Sequence, residues 1–224
     1  IARYTGDTIV KEAFQGGFLV GWGGSAHPKV DDRPGELLFF TYSNEAPYMR
    51  SGVVDPGGDL VHFTDIPLPG PRLPHDMAFT ENYAILNDFP LFWDPKLLQA
   101  GVHLPGFHRD MPSRFAVMPR RGGPDEIRWI EADPTFVLHF TNAYEDGDEI
   151  VLDGFFEGDP DPADLGSTNK WEKAFRFLAL DRLQTHLHRW RFNLTTGATR
   201  EEQLTDSISE FGMINGAHAG SDYR

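Results

Sequence analysis

Val53-Val-Asp-Pro-Gly-Gly-Asp-Leu-Val-His-Phe63 sets β-branched and apolar residues on both sides of an Asp-Pro-Gly-Gly turn. Val and Leu suit a pleated strand, Pro presets φ and Gly reaches positive φ, so the stretch predicts a β-hairpin. The pattern stands again at Ala2-Arg-Tyr-Thr-Gly-Asp-Thr-Ile-Val, at Val117-Met-Pro-Arg-Arg-Gly-Gly-Pro-Asp-Glu-Ile-Arg-Trp-Ile, and at Trp190-Arg-Phe-Asn-Leu-Thr-Thr-Gly-Ala-Thr-Arg. Four hairpins, each within a unit of several short strands, predict an all-β fold of the β-propeller kind. Blades of regular propellers take roughly 40–50 residues, so these units carry insertions. On this pattern alone a β-sandwich is the alternative. Helical signal is thin: a short helix is expected over 94–102, and 163–180 is ambiguous. The run over 157–169, rich in Asp, Pro and Gly, reads as an acidic surface loop.

The 224 residues include 23 Gly and 17 Pro, too many breakers for a helix bundle, while 18 Phe and 5 Trp suit strands around a bulky core. Without Cys there is no disulfide scaffold, no thiolate metal site and no thiol nucleophile. With 34 acids against 20 bases the net charge is −14, which argues against a nucleic-acid backbone as partner. No apolar run approaches the roughly 20 residues of a membrane span, and no secretory leader is visible. The chain opens at Ile1. We expect a piece of a longer protein, with 1–224 forming a single, incomplete propeller domain of about four blades.

Three of the nine histidines keep step with the hairpins. His27 follows Gly6 by 21 residues, His75 follows Gly57 by 18, and His139 follows Gly122 by 17. In a propeller the strand after an outer hairpin is the innermost strand of the next blade. Residues at one phase of those strands therefore converge on the axis, and imidazoles gathered there suit iron, zinc or copper. Phase alone also nominates His218, 21 residues beyond Gly197, as a fourth. His62 is read as facing solvent, and His103 and His108 as surface polars. His186 and His188 share one strand face; strand packing is the preferred reading over weak metal binding.

At these histidines the sequence resembles the carotenoid cleavage oxygenases, a family that includes the lignostilbene dioxygenases. Ser25-Ala-His-Pro-Lys-Val-Asp followed by Gly35-Glu-Leu-Leu-Phe-Phe resembles the family's first metal-ligand segment. Leu73-Pro-His-Asp-Met-Ala-Phe-Thr-Glu-Asn-Tyr looks like the second, and Phe136-Val-Leu-His-Phe-Thr-Asn-Ala-Tyr-Glu-Asp-Gly like the third. Pro112-Ser-Arg-Phe-Ala-Val-Met-Pro-Arg and Ile127-Arg-Trp-Ile-Glu-Ala match intervening strands. The resemblance implies a seven-bladed propeller with one axial Fe(II) held by four His. His27, His75 and His139 would be three of them, the fourth lying outside this chain. Ser209-Glu-Phe-Gly-Met-Ile-Asn resembles a segment whose glutamate orients a ligand imidazole, which points to Glu210. Where the family usually has Pro this chain has Gly212, and the alignment puts His218 in a variable stretch, which argues against it as a ligand.

The implied activity is oxygenative cleavage of a conjugated C=C bond into two carbonyl compounds, with no catalytic residue beyond the metal ligands. The implied partners are O2 and an apolar substrate: a carotenoid, an apocarotenoid or a stilbene. Asp76, directly after a ligand, reads as a structural or orienting partner rather than a base. The apolar stretch 88–105 resembles a region that can take lipophilic substrate from a membrane in the family, the alternative being a helix that packs Leu97 and Leu98 into the core. The expected location is the cytoplasm, with peripheral contact at a membrane surface as a further expectation. A three-His zinc hydrolase and a non-catalytic binding propeller are the rival readings.

Overall fold

Asp55 closes the first quoted turn with its own side chain. Its Oδ1 accepts the N–H of Gly57 at 2.8 Å and of Asp59 at 3.0 Å, while Gly58 takes φ +91°. The Asn193 turn repeats the device, Oδ1 accepting from Thr195 and Thr196 at 3.0 and 2.8 Å with Gly197 at φ +74°. The third connection is longer than a tight hairpin and passes through a 3-10 turn at Pro124–Glu126. The hairpin at Gly6 lies outside the described residues. The computed structural model describes residues 23–25, 27–93, 96, 99, 100, 105–158, 160 and 184–223.

Fifteen strands follow in chain order among the described residues. They are β1 (Gly23–Gly24), β2 (Lys29–Asp31), β3 (Glu36–Tyr42), β4 (Tyr48–Val54), β5 (Leu60–Pro67), β6 (Ala78–Phe79), β7 (Tyr83–Asp88) and β8 (Leu91–Trp93). After them come β9 (Pro105–Phe107), β10 (Ser113–Pro119), β11 (Arg128–Ala132), β12 (Phe140–Asp146), β13 (Glu149–Glu157), β14 (Thr185–Asn193) and β15 (Thr199–Ile208). All pairings are antiparallel. The first sheet runs β3-β4-β5, with β1 and β2 both pairing along the free edge of β3. The second runs β6-β7-β10-β11, the third β12-β13-β14-β15, and β8 with β9 forms a separate hairpin between β7 and β10. Three successive meanders of four strand positions are the blade pattern that the hairpins predict.

The second sheet is covered on both faces, and this explains why β10 reads Phe-Ala-Val-Met without a polar break. Phe115 and Val117 point to one side, into a core shared with Phe140, Leu152, Trp190 and Phe192 of the third sheet. Ala116 and Met118 point to the other, into a core shared with Leu38, Phe40, Met49 and Ile66 of the first. Phe115 meets Phe192 and Trp190 at ring-centroid distances of 4.9 and 5.6 Å, an aromatic contact that locks the sheets face to face. At the rim, Arg120 of the second sheet donates to Asp31 beside the first, and Glu145 of the third accepts from Thr80 and Asn82 of the second.

One local expectation changes. Glu157 is not in a surface loop: it ends β13, 3% exposed, and its carboxylate accepts the N–H of Gln184 at 3.0 Å. The acidic stretch beyond it, 159 and 161–169, lies outside the described residues, as does 163–180. Within 94–102, Lys96 and Gln99 are helical and the Ala100 N–H bonds the Lys96 carbonyl at 3.2 Å. The other residues of that segment lie outside the description. No described helix is long and apolar enough to cross a membrane.

Candidate metal centre

Each sheet begins with a segment that carries one of the three nominated histidines. His27 lies where the edge of the first sheet is broken, between β1 and β2. Gly24 pairs with Thr41 and Lys29 with Leu38, and Ser25 still donates its N–H to the Phe40 carbonyl at 3.1 Å. Pro28, with no N–H to give a ladder, follows His27 directly. Ser25 holds the break: its Oγ accepts the His27 N–H at 3.2 Å and donates to the His75 carbonyl at 2.9 Å. His75 ends a Pro-rich extended run just before β6, and His139 immediately precedes β12. There the β12–β13 register shifts between Phe140 and Asn142, and the His139 carbonyl accepts the Phe155 N–H at 3.3 Å.

The three imidazoles meet. Ring centroids lie 4.6 Å apart for His27 and His75, 4.8 Å for His27 and His139, and 5.1 Å for His75 and His139. The Nε2 atoms of His27 and His75 are 3.0 Å apart, and one nitrogen from each ring lies within 4.8 Å of the others. All three residues are half-buried. Burial, then the neighbouring imidazoles, pushes His75 down to about 4; burial also lowers His27, against the opposing pull of Asp76. Near neutrality these two rings therefore carry lone pairs rather than charge. Neutral imidazole nitrogens turned toward one another, within reach of a single point, are the donor set of a nitrogen-ligated transition metal.

Glu210 lies where the resemblance puts an orienting carboxylate. Its Oε2 is 2.7 Å from His139 Nδ1, which leaves Nε2 of that ring for the cluster. Such a contact fixes the tautomer and turns the ring. Phe211, at φ +58°, packs its ring edge-on against His139 at 4.4 Å. At Gly212 an added Cβ would stand 2.7 Å from the Phe155 ring, so glycine suits this packing. Sequence reasoning missed Phe211 and the Ser25 clip. A Ser two residues before a His is the signal that could have found the clip; nothing marks Phe211.

The other described histidines are elsewhere. His218 is exposed in a 3-10 turn and takes no part in the cluster, against the hairpin-phase nomination and with the alignment. His62 does not face solvent: it is half-buried, with Nε2 3.0 Å from the Gly122 carbonyl, because β5 packs beside the β10–β11 connection. His108 stacks on Phe92 at 4.1 Å. His188 packs among Phe156 and Trp190 with Nε2 3.3 Å from Glu201, and neither it nor His186 joins a metal-capable group among the described residues. His103 lies outside the described residues.

Residues 2–224 match the family model described as retinal pigment epithelial membrane protein. The chain is 35% identical over 202 residues to the carotenoid 9,10(9',10')-cleavage dioxygenase 1 of Pisum sativum, covering 89% of this chain and 36% of that protein. It is similar in structure to the lignostilbene dioxygenase of Pseudomonas brassicacearum, with TM-score 0.73, 28% identity, and 89% of this chain against 42% of that one. It also resembles cobalt-substituted Synechocystis ACO, with TM-score 0.76, 25% identity, and 93% against 45%. The chain thus spans about a third of that curated relative and under half of those solved chains.

Proposed function

The chain belongs to the carotenoid oxygenase family, a family of non-heme iron enzymes with β-propeller folds, and from that premise we propose that it is part of an Fe(II) dioxygenase. Its reaction is cleavage of a conjugated C=C bond of an apolar polyene or stilbene, one oxygen atom of O2 ending in each of two carbonyl products. The observation that carries this reading is the convergence of three half-buried imidazoles, two of them held neutral by burial, with Glu210 on the third. His27, His75 and His139 are the residues that would hold the iron, which supplies the one-electron chemistry that no side chain performs.

What the chain's own residues do follows from their placement. Neutral rings present lone pairs without competing protons. Glu210 holds the Nδ1 proton of His139 and brings a carboxylate near the site. Ser25 couples the His27 segment to the His75 carbonyl, and the Phe211 ring stands perpendicular to that of His139.

The test uses the full-length protein, loaded with Fe(II) and offered a carotenoid, an apocarotenoid and a stilbene under labelled O2. Two labelled carbonyl products with stoichiometric oxygen uptake are expected from one of the three. Hydrolytic turnover with zinc and no oxygen uptake would replace the dioxygenase with a three-His zinc hydrolase.

A further inference from the structure

The carboxylate of Asp76 is buried, its side chain 1% exposed, next to His75. Its Oδ1 accepts the N–H of Met77 at 2.7 Å and lies 2.7 Å from Lys29 Nζ. Its Oδ2 accepts the N–H of Phe140 at 2.9 Å. Lys29 is two residues beyond His27, and Phe140 is the residue after His139. One carboxylate therefore touches the three segments that carry the three imidazoles, one segment from each sheet. The peptide around it is held as well: Ser25 Oγ donates to the His75 carbonyl at 2.9 Å, and Asn87 Nδ2 donates to the Asp76 carbonyl at 2.8 Å.

A buried carboxylate is tolerated when it is paired and hydrogen-bonded, and Asp76 has two backbone N–H donors and an ammonium. Charge-assisted bonds of this kind hold geometry more tightly than neutral ones. Its oxygens are engaged by backbone and Lys29 rather than by any of the three rings. The arrangement suits a spacer, not an acid or base. A metal site demands placement of its ligands to roughly 0.5 Å, and that demand falls on the backbone behind the rings.

We propose that Asp76 is a positioning residue that sets the mutual spacing of His27, His75 and His139 by tying their three backbone segments to one carboxylate. The proposal rests on the metal reading above. Its test is made on the full-length protein by titration with Co(II), following the ligand-field bands of the bound ion. Asp76→Asn keeps the shape but cannot accept from all three donors. Co(II) affinity is expected to fall roughly tenfold or more, with altered bands, on the usual scale for residues that orient metal ligands. The double variant Asp76→Asn with Lys29→Met, which removes the ammonium left unpaired, should not restore the bands if spacing is the role. Wild-type affinity and bands in Asp76→Asn, or their full return in the double variant, would overturn the proposal while leaving the metal reading intact. If Asp76→Asn does not fold, Asp76→Glu keeps the charge beside Lys29 and shifts the carboxylate by one methylene; wild-type bands there overturn the proposal too. A wild-type protein that takes up no Co(II) overturns the metal reading, and this inference with it.

Discussion

Asp76 and Asp153 are both fully buried carboxylates, but they are satisfied in different ways. Asp153 faces Arg189 directly across the β13–β14 ladder and receives its guanidinium at 2.7 and 2.8 Å; the Tyr223 hydroxyl also donates to it. Its main partner is therefore set by strand register, and its work is to hold one sheet and the segment near Tyr223 together. Asp76 takes its partners from positions 47 and 64 residues away, one beside each neighbouring histidine. Burial is the same in the two places. What differs is whether the pairing serves a single sheet or sets three sheets against one another.

The largest effect expected from breaking this contrast belongs to Asp153. Removing one partner of a buried pair leaves an uncompensated charge and costs about 3–5 kcal/mol. Asp153→Ala should lower unfolding free energy by that order in urea, while the folded fraction keeps wild-type Co(II) bands. Altered bands there would erase the distinction between the two carboxylates. Glu210→Gln should do the reverse. Metal affinity is expected to drop by about ten- to a hundredfold, on the usual scale for a partner of a ligand imidazole, with the metal-free urea midpoint unchanged. An equal loss of stability would make Glu210 a folding residue.

A smaller change is expected at Tyr223, whose hydroxyl is pushed well above the usual range by burial and by its bond to Asp153. Tyr223→Phe leaves Arg189 in place and should cost about 1 kcal/mol, the ordinary worth of one hydrogen bond, read from the same urea curves. A separate expectation concerns the acid sensitivity of the metal-free site. His75 titrates near 4 when folded, because of burial, and near 6.5 when unfolded. Between those values the unfolded chain binds more protons, so stability should fall as pH drops from 6.5 toward 4 and stay level above 6.5. A His75→Gln variant should show a shallower acid decline; an identical curve would assign the acid sensitivity to other groups.

Much of this was legible along the chain because its signals are local. Asp55, Asn193 and the turn glycines announce hairpins through bonds spanning two or three residues. The phase of His75 and His139 against the described hairpins agrees with the cluster, since a repeated blade returns equivalent positions to equivalent places; the hairpin from which His27 is counted lies outside the described residues. The same phase nominated His218 wrongly. Periodicity says where a fourth blade would begin, but not that the chain there forms an exposed 3-10 turn capped by Asn215. His62 was misread for a related reason: a polar residue on a hairpin strand looks solvent-facing until a neighbouring sheet supplies the Gly122 carbonyl.

Sequence by itself determined the strand-rich fold class, the positions of the three described hairpins, the three imidazoles and the nomination of Glu210. Turn chemistry and side-chain alternation act over a few residues, and motif resemblance needs no coordinates. Only the tertiary structure decided that Asp76 reaches Lys29 and the Phe140 N–H, that Ser25 clips two ligand segments, and that Phe211 lies edge-on to His139. Those contacts join residues far apart in the chain, and their distances depend on how three sheets stack through the Phe115 and Met118 faces of the second. Packing of that kind is a property of all the side chains together, so no single stretch of sequence announces it.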